Sequence, residues 1–195
     1  MIRADVLSPY FKDVKGMMVE IGVHHGTMSE ILLRNTQDTV LYCVDPYKKF
    51  EDGIYKDAMN DKSQAEFDEL SARISTMLTN EFGPRVCMVR KTSEEAVTMF
   101  PDASVSFVYI DGNHGYSHVF KDIEMWLPKI KPGGVLTGDD VCDFDDSKRL
   151  PDGNIRMDWG PGSYGYYGVY KALCDIREKY GKQFEVIGTQ FVMKC

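Results

Sequence analysis

The sequence predicts an α/β fold with a mainly parallel sheet. Three observations predict it: short apolar runs that read as buried strands, amphipathic stretches between them that read as helices, and a regular alternation of the two. The strand-like runs are Met17 to Ile21, Val40 to Val44, Val86 to Val89, Val105 to Ile110 and Gly134 to Thr137, bounded by polar residues or glycine. Helices are predicted over Met28 to Arg34, Gln64 to Leu78, Glu94 to Phe100 and Tyr116 to Leu127. In the last of these, Tyr116, Val119, Phe120, Ile123 and Leu127 recur at helical spacing and define one apolar stripe. Strand–helix–strand units cross over right-handedly, which makes the strands parallel and covers both faces of the sheet.

The C-terminal part is different. Val169, Ala172, Leu173, Ile176 and Tyr180 form another helical stripe that Gly181 stops, and strand-like runs follow at Phe184 to Ile187 and Gln190 to Met193. Only Gly188 and Thr189 separate these runs, and so short a link predicts an antiparallel hairpin at the sheet edge. Asp143 to Tyr167 is polar, aromatic and rich in Gly and Pro, with no sustained period, and is expected to be a loop that is either functional or disordered.

A chain of 195 residues with 43% hydrophobic content can bury one sizeable core, so a single domain over 1–195 is expected. The net charge of -7, with no basic patch, argues against a nucleic-acid partner. Met1 to Gly16 alternates charged and apolar residues and lacks the unbroken apolar run of a signal peptide or membrane helix, which predicts a cytoplasmic protein without a membrane partner. Cys43, Cys87, Cys142, Cys174 and Cys195 are odd in number and widely spaced, as expected of reduced thiols rather than a disulfide framework or a thiolate zinc site.

The first strand runs into Glu20-Ile21-Gly22-Val23-His24-His25-Gly26, a strand-to-helix turn whose glycines let backbone come close to a ligand beside the free N–H groups of a helix N-terminus. The second strand ends in Asp45, where a carboxylate can accept hydrogen bonds from ribose hydroxyls. Together they predict an adenosine-type cofactor, without separating a dinucleotide from S-adenosylmethionine. The fourth and fifth strands are expected to be neighbours, bringing Asp111 and the pair Asp139-Asp140 to one end of the sheet. Three converging carboxylates repel one another unless a cation sits between them, and oxygen ligands point to magnesium (Mg2+), or to calcium or manganese in its place.

Val19-Glu20-Ile21-Gly22, Val44-Asp45, Tyr109-Ile110-Asp111-Gly112, Lys131-Pro132-Gly133-Gly134 and Asp139-Asp140, in this order, resemble class I S-adenosylmethionine-dependent methyltransferases. Within that class the chain is similar to the metal-dependent O-methyltransferases of the catechol and macrolide-sugar types, from about Met17 to the C-terminus. The resemblance implies a Rossmann-like three-layer sandwich with a seven-stranded sheet whose last strand is antiparallel. It implies cofactor contacts from Glu20, Gly22 and Asp45, with Ser93 and Glu94 near the adenine, and metal ligands at Asp111, Asp139 and Asp140. S-adenosylmethionine is then expected across the ends of the first, second and fourth strands, in reach of Gly26 and Asp111, with His24 facing its methionine end.

The chain departs from the resemblance at the general base. Catechol-type enzymes carry a lysine where His114 stands, and sugar-type enzymes an acid where Asn113 stands. His114 is the candidate base, since imidazole accepts a proton near neutral pH and a bound cation makes an acceptor hydroxyl more acidic. The expected activity is metal-assisted methylation of a small hydroxylated acceptor such as a sugar, diol or catechol. With little chain before the first strand, the Asp143 to Tyr167 segment or a second subunit of a homo-oligomer would enclose that acceptor. Metal-independent methylation of a nitrogen or carboxyl acceptor, and a non-catalytic binding module, remain as alternatives. A nicotinamide oxidoreductase would fit the glycine turn but leave Asp139 and Asp140 unexplained.

Overall fold

The computed structural model describes residues 3–51, 60, 62–160 and 163–195. The chain begins with α1 (Arg3–Phe11) and β1 (Gly16–Ile21), then α2 (Thr27–Arg34), β2 (Thr39–Val44), α3 (Gln64–Phe82) and β3 (Val86–Val89). It continues through α4 (Ser93–Ala96), β4 (Val105–Ile110), α5 (Tyr116–Trp126) and β5 (Ile130–Gly138). A hairpin of β6 (Ile155–Gly160) and β7 (Ser163–Tyr167) precedes α6 (Val169–Tyr180), β8 (Glu185–Ile187) and β9 (Gln190–Lys194).

Seven strands form one sheet in the order β3-β2-β1-β4-β5-β9-β8. β1 to β5 pair in parallel, while β9 runs antiparallel to both β5 and β8. The expected C-terminal hairpin is therefore present, and its second strand rather than its first lies against β5. Gly138 explains how closely that strand seats: a Cβ there would lie 2.3 Å from the Ile110 carbonyl oxygen and 2.6 Å from the Phe191 ring.

Each face of the sheet carries its own apolar core. On one, Val119, Ile123 and Trp126 of α5 and Ala172, Leu173 and Ile176 of α6 pack on Val19, Val108 and Leu136. On the other, Leu7 and Phe11 of α1, Leu32 of α2 and Ile74 and Leu78 of α3 pack on Met18, Leu41 and Phe107. Capping boxes start two helices: Ser63 with Glu66 at α3, and Thr92 with Glu95 at α4. Gly181 ends α6 in the left-handed region at φ 67. Among the described residues no helix is long and apolar enough to cross a membrane.

Four elements differ from expectation; the helix expected to reach Phe100 ends as α4 at Ala96, where the chain tightens into a 3-10 turn over Val97–Met99. α1 was not expected; its Leu7 and Phe11 fall four residues apart on one face, but the helix is short and contains Pro9. β5 starts at Ile130 instead of Gly134, because Lys131 to Gly133 continue the strand across a register shift against β4. Part of the predicted 143–167 loop is the β6–β7 ribbon, which pairs Ile155 with Tyr167 and Arg156 with Tyr166; Pro161 and Gly162 lie outside the described residues.

Candidate active site

A cavity of about 650 Å³ opens at the C-terminal ends of β1, β2 and β4, the position at which open parallel sheets bind their ligands. Glu20, Gly22, His24, Asp45, Ser93, Glu94 and Asp111 all line it, as do His114 and Asp140. Two residues singled out from the sequence do not. Gly26 instead opens α2 at φ 77, with Ile74 against the place its side chain would take, and Asp139 lies behind the cavity, 2% exposed.

The turn after β1 is held by protein contacts on every side. A Cβ on Gly22, at φ 86, would lie 2.1 Å from the Asp111 carbonyl oxygen, so this glycine lets β1 and β4 close on each other. Asp45 Oδ2 accepts the backbone N–H groups of Val23 and His24, each at 3.0 Å, and its Oδ1 accepts that of Tyr47 at 2.8 Å. A carboxylate has about four acceptor positions, which leaves about one for a ribose hydroxyl. Burial raises the Asp45 pKa, and the three N–H groups oppose that rise. Tyr47, which sequence reasoning missed, is 2% exposed and donates its hydroxyl to the His24 carbonyl at 2.9 Å. Its own φ of 41 and the φ of 46 at His24 mark a turn forced into an uncommon backbone shape. Glu20, 1% exposed, accepts the Ser29 hydroxyl of α2 and so ties the end of β1 to that helix.

At the other end of the cavity, Asp111, His114 and Asp140 bring one ligand atom each to within 4.8 Å of one another. His114 Nε2 stands 3.2 Å from Asp140 Oδ2. Asp140 adopts φ 61, the left-handed region, which aims its side chain back toward β4. Asp139 does not join this group: its Oδ1 accepts the Thr189 hydroxyl and the Asp140 N–H, both at 2.7 Å. Two carboxylates and an imidazole are a donor set that fits a divalent cation.

The chain between Asp111 and α5 explains the departures noted in the sequence. Asn113 Oδ1 accepts the Gly115 N–H at 2.8 Å, forming the turn that presents His114. Residues 154–168 then grip the same stretch. Asn154 Oδ1 accepts the Tyr116 N–H at 2.7 Å, and the Gly168 N–H donates to the His114 carbonyl at 2.9 Å. The Tyr167 ring stacks on the imidazole, with centroids 5.5 Å apart and planes 9° from parallel, and Trp159 meets Tyr167 edge-on at 5.8 Å. Asp143, fully buried, anchors this segment: it pairs with Arg149 at 2.9 Å and accepts the Tyr170 and Lys171 N–H groups at the start of α6. The ribbon had a sequence signal in Gly160-Pro161-Gly162, a combination that favours a turn.

At the far side, Ser93 Oγ accepts the Trp126 indole N–H at 2.9 Å, and Glu94 pairs with Lys121 at 2.7 Å. Asp122, which the sequence did not single out, is 8% exposed and faces the same cavity.

Comparisons with known proteins agree with this architecture. An uncharacterized protein of Sinorhizobium fredii, y4gI, is 28% identical over 124 residues, which are 61% of this chain and 12% of that protein. The chain thus spans about an eighth of the length of that curated relative. Among solved structures, a Corynebacterium glutamicum protein matches with a TM-score of 0.65 at 14% identity, over 98% of this chain and 79% of its own. An O-methyltransferase from Bacillus cereus in complex with SAH matches with a TM-score of 0.64 at 13% identity, over 98% and 77%. An O-methyltransferase family protein from Burkholderia thailandensis matches with a TM-score of 0.63 at 15% identity, over 98% and 54%. At such identities these structures show the fold, the Rossmann-like one of class I methyltransferases. A family model described as "Methyltransferase domain" matches residues 19–141, from the middle of β1 to just past Asp140, and by that match the chain belongs to the methyltransferase domain family.

Proposed function

We propose that the chain transfers the methyl group of S-adenosylmethionine to an oxygen of a small hydroxylated acceptor, a sugar, diol or catechol, with the help of a divalent cation. The observation that carries this reading is the continuity of one cavity from the glycine turn and Asp45 to the Asp111–His114–Asp140 group. The cofactor, when bound, supplies a methyl carbon activated by its sulfonium. Glu20, Gly22, His24, Asp45, Ser93 and Glu94 are the residues proposed to hold it, with Asp111 at the junction between cofactor and acceptor.

Asp111, Asp140 and His114 are proposed to hold the cation, which when bound supplies a Lewis acid that makes an acceptor hydroxyl more acidic. Asp139, expected from the sequence to be a ligand, is assigned a supporting part: it fixes the backbone N–H of Asp140 and ties it to Thr189. Tyr167 and Asn154 hold the His114 segment still, so that an acceptor oxygen can be kept in line with the methyl carbon. The exposed Trp159 and Tyr164 rings of the β6–β7 ribbon are proposed to cover the acceptor.

A second reading rests on the 3.2 Å pair between His114 and Asp140: without a cation, the carboxylate orients the imidazole and His114 takes the acceptor proton itself. Incubation with S-adenosylmethionine and a panel of sugars, diols and catechols, followed by mass spectrometry for SAH and methylated product, tests the function. Turnover lost in EDTA and restored by Mg2+ or Mn2+ is expected. Equal turnover with and without chelator selects the second reading, and no SAH with any hydroxylated acceptor overturns both.

A further inference from the structure

Asp122 is a carboxylate without a part in the chemistry above, yet it is buried in the wall of the cavity. One face of α5, carrying Ser117, Lys121, Asp122 and Met125, runs along that wall. At a rise of 1.5 Å per residue, Asp122 lies about 9 Å further along the helix than Tyr116, away from the Asp111–His114–Asp140 group. Its neighbours leave it a vacant task. Lys121 is committed to Glu94 at 2.7 Å. Ser93 spends its oxygen on the Trp126 indole N–H at 2.9 Å and turns its own proton to Asp122. The charge of Lys121 lowers the pKa of the carboxyl, but burial outweighs it and pushes the pKa up to about 6.

The position of this group follows from the geometry of the ligand. Ribose joins the sulfur to the purine, so with the sulfonium beside Asp111 and the ribose at Asp45, the purine continues toward Ser93 and Asp122. We propose that Asp122 reads the adenine, its carboxylate accepting a proton of the exocyclic amine while Ser93 holds the carboxylate in place. The inference rests on the proposed function, because it needs the cofactor in this cavity. A carboxylate offers acceptors only, so it favours an amine at the purine 6-position and opposes a carbonyl oxygen there. The site would thereby select adenosyl ligands over inosyl or guanosyl ones.

Calorimetric titration of the full chain at pH 7.5 with SAH and with S-inosyl-L-homocysteine, which carry an amine and a carbonyl oxygen at that position and differ otherwise only in the N1 proton that accompanies the carbonyl, tests the inference. The wild type is expected to bind SAH about 10- to 100-fold more tightly, the range of a charged hydrogen bond. In Asp122→Asn, whose amide can also donate, the preference should fall below about threefold or reverse. A wild type that binds both ligands equally overturns the inference and needs no variant to do so. An Asp122→Asn protein that is at least as stable as the wild type and keeps an undiminished preference overturns it too. Failure of the wild type to bind SAH at all overturns the proposed function, and this inference with it.

Discussion

The two walls of the cavity are built in different ways. The wall made by β1, α2 and β2 is local: within residues 20–47, Asp45 gathers three backbone N–H groups, Tyr47 ties down His24, and Glu20 holds Ser29. The wall made by residues 139–160 and 163–168 takes partners from outside its own stretch: Asn154 on Tyr116, Tyr167 on His114, and Thr189 on Asp139. The family match ends at residue 141, where the second wall begins. On the proposed function, the first wall would hold the cofactor and the second would face the acceptor.

The sharpest way to break the first wall is Gly22→Ala. The added carbon would stand 2.1 Å from a backbone oxygen at a φ of 86, so a loss of about 4 kcal/mol or more is expected in urea denaturation. A loss below about 1 kcal/mol would show that β1 and β4 separate easily, and that the wall is less rigid than described. The second wall breaks at Asp143→Ala, which leaves Arg149 the exposed Asp146 as its acidic partner and uncaps α6. Loss of one partner of a buried pair predicts about 3 to 5 kcal/mol. Hydrogen exchange should then rise across 143–168 before it rises in β1 and β2, and simultaneous exchange in both regions would contradict the division into two walls.

A smaller and pH-dependent effect is expected at Asp122. Its carboxyl rises from an ordinary 3.8 to about 6, so between those values the folded chain binds more protons than the unfolded one. Stability from this group is complete below about pH 4 and is lost as pH rises through 6, a difference of about 3 kcal/mol. Besides Ser93, the charges that act on it are Lys121, which lowers the pKa, and Glu94, which raises it. Asp122→Asn should therefore match the wild type near pH 4 and exceed it by up to about 3 kcal/mol at pH 8 in urea melts. Parallel curves across that range would mean that the carboxylate is not isolated from water.

What was legible in the sequence divides along the same line. Strand and helix periods are local properties, so β1, β2, β3, β4, α5 and α6 fall within a residue or two of expectation. Gly22, Asp45 and Asp111 line the cavity as expected, because a strand end dictates where the chain meets the mouth of the sheet. That Asp140 lines the cavity with His114 while Asp139 does not was not legible, since it depends on a left-handed Asp140 and on a threonine 50 residues away from Asp139. Asp122 and Tyr47 were hidden for another reason: each lies in an ordinary helix or loop pattern, and only burial in the folded chain distinguishes it. The β6–β7 ribbon pairs with itself and not with the sheet, so its strands lack the continuous apolar pattern that reveals the others.

The insertion of β9 between β5 and β8 bears on how the protein is made. The turn between β8 and β9 carries Thr189, whose carbonyl accepts the Val141 N–H at 2.9 Å while its hydroxyl secures Asp139. A nascent chain that has left the ribosome only as far as α6 can have its parallel strands in place and still lack this clasp. The clasp on Asp139 and Val141 therefore closes only once the β8–β9 hairpin has formed and β9 has paired with β5.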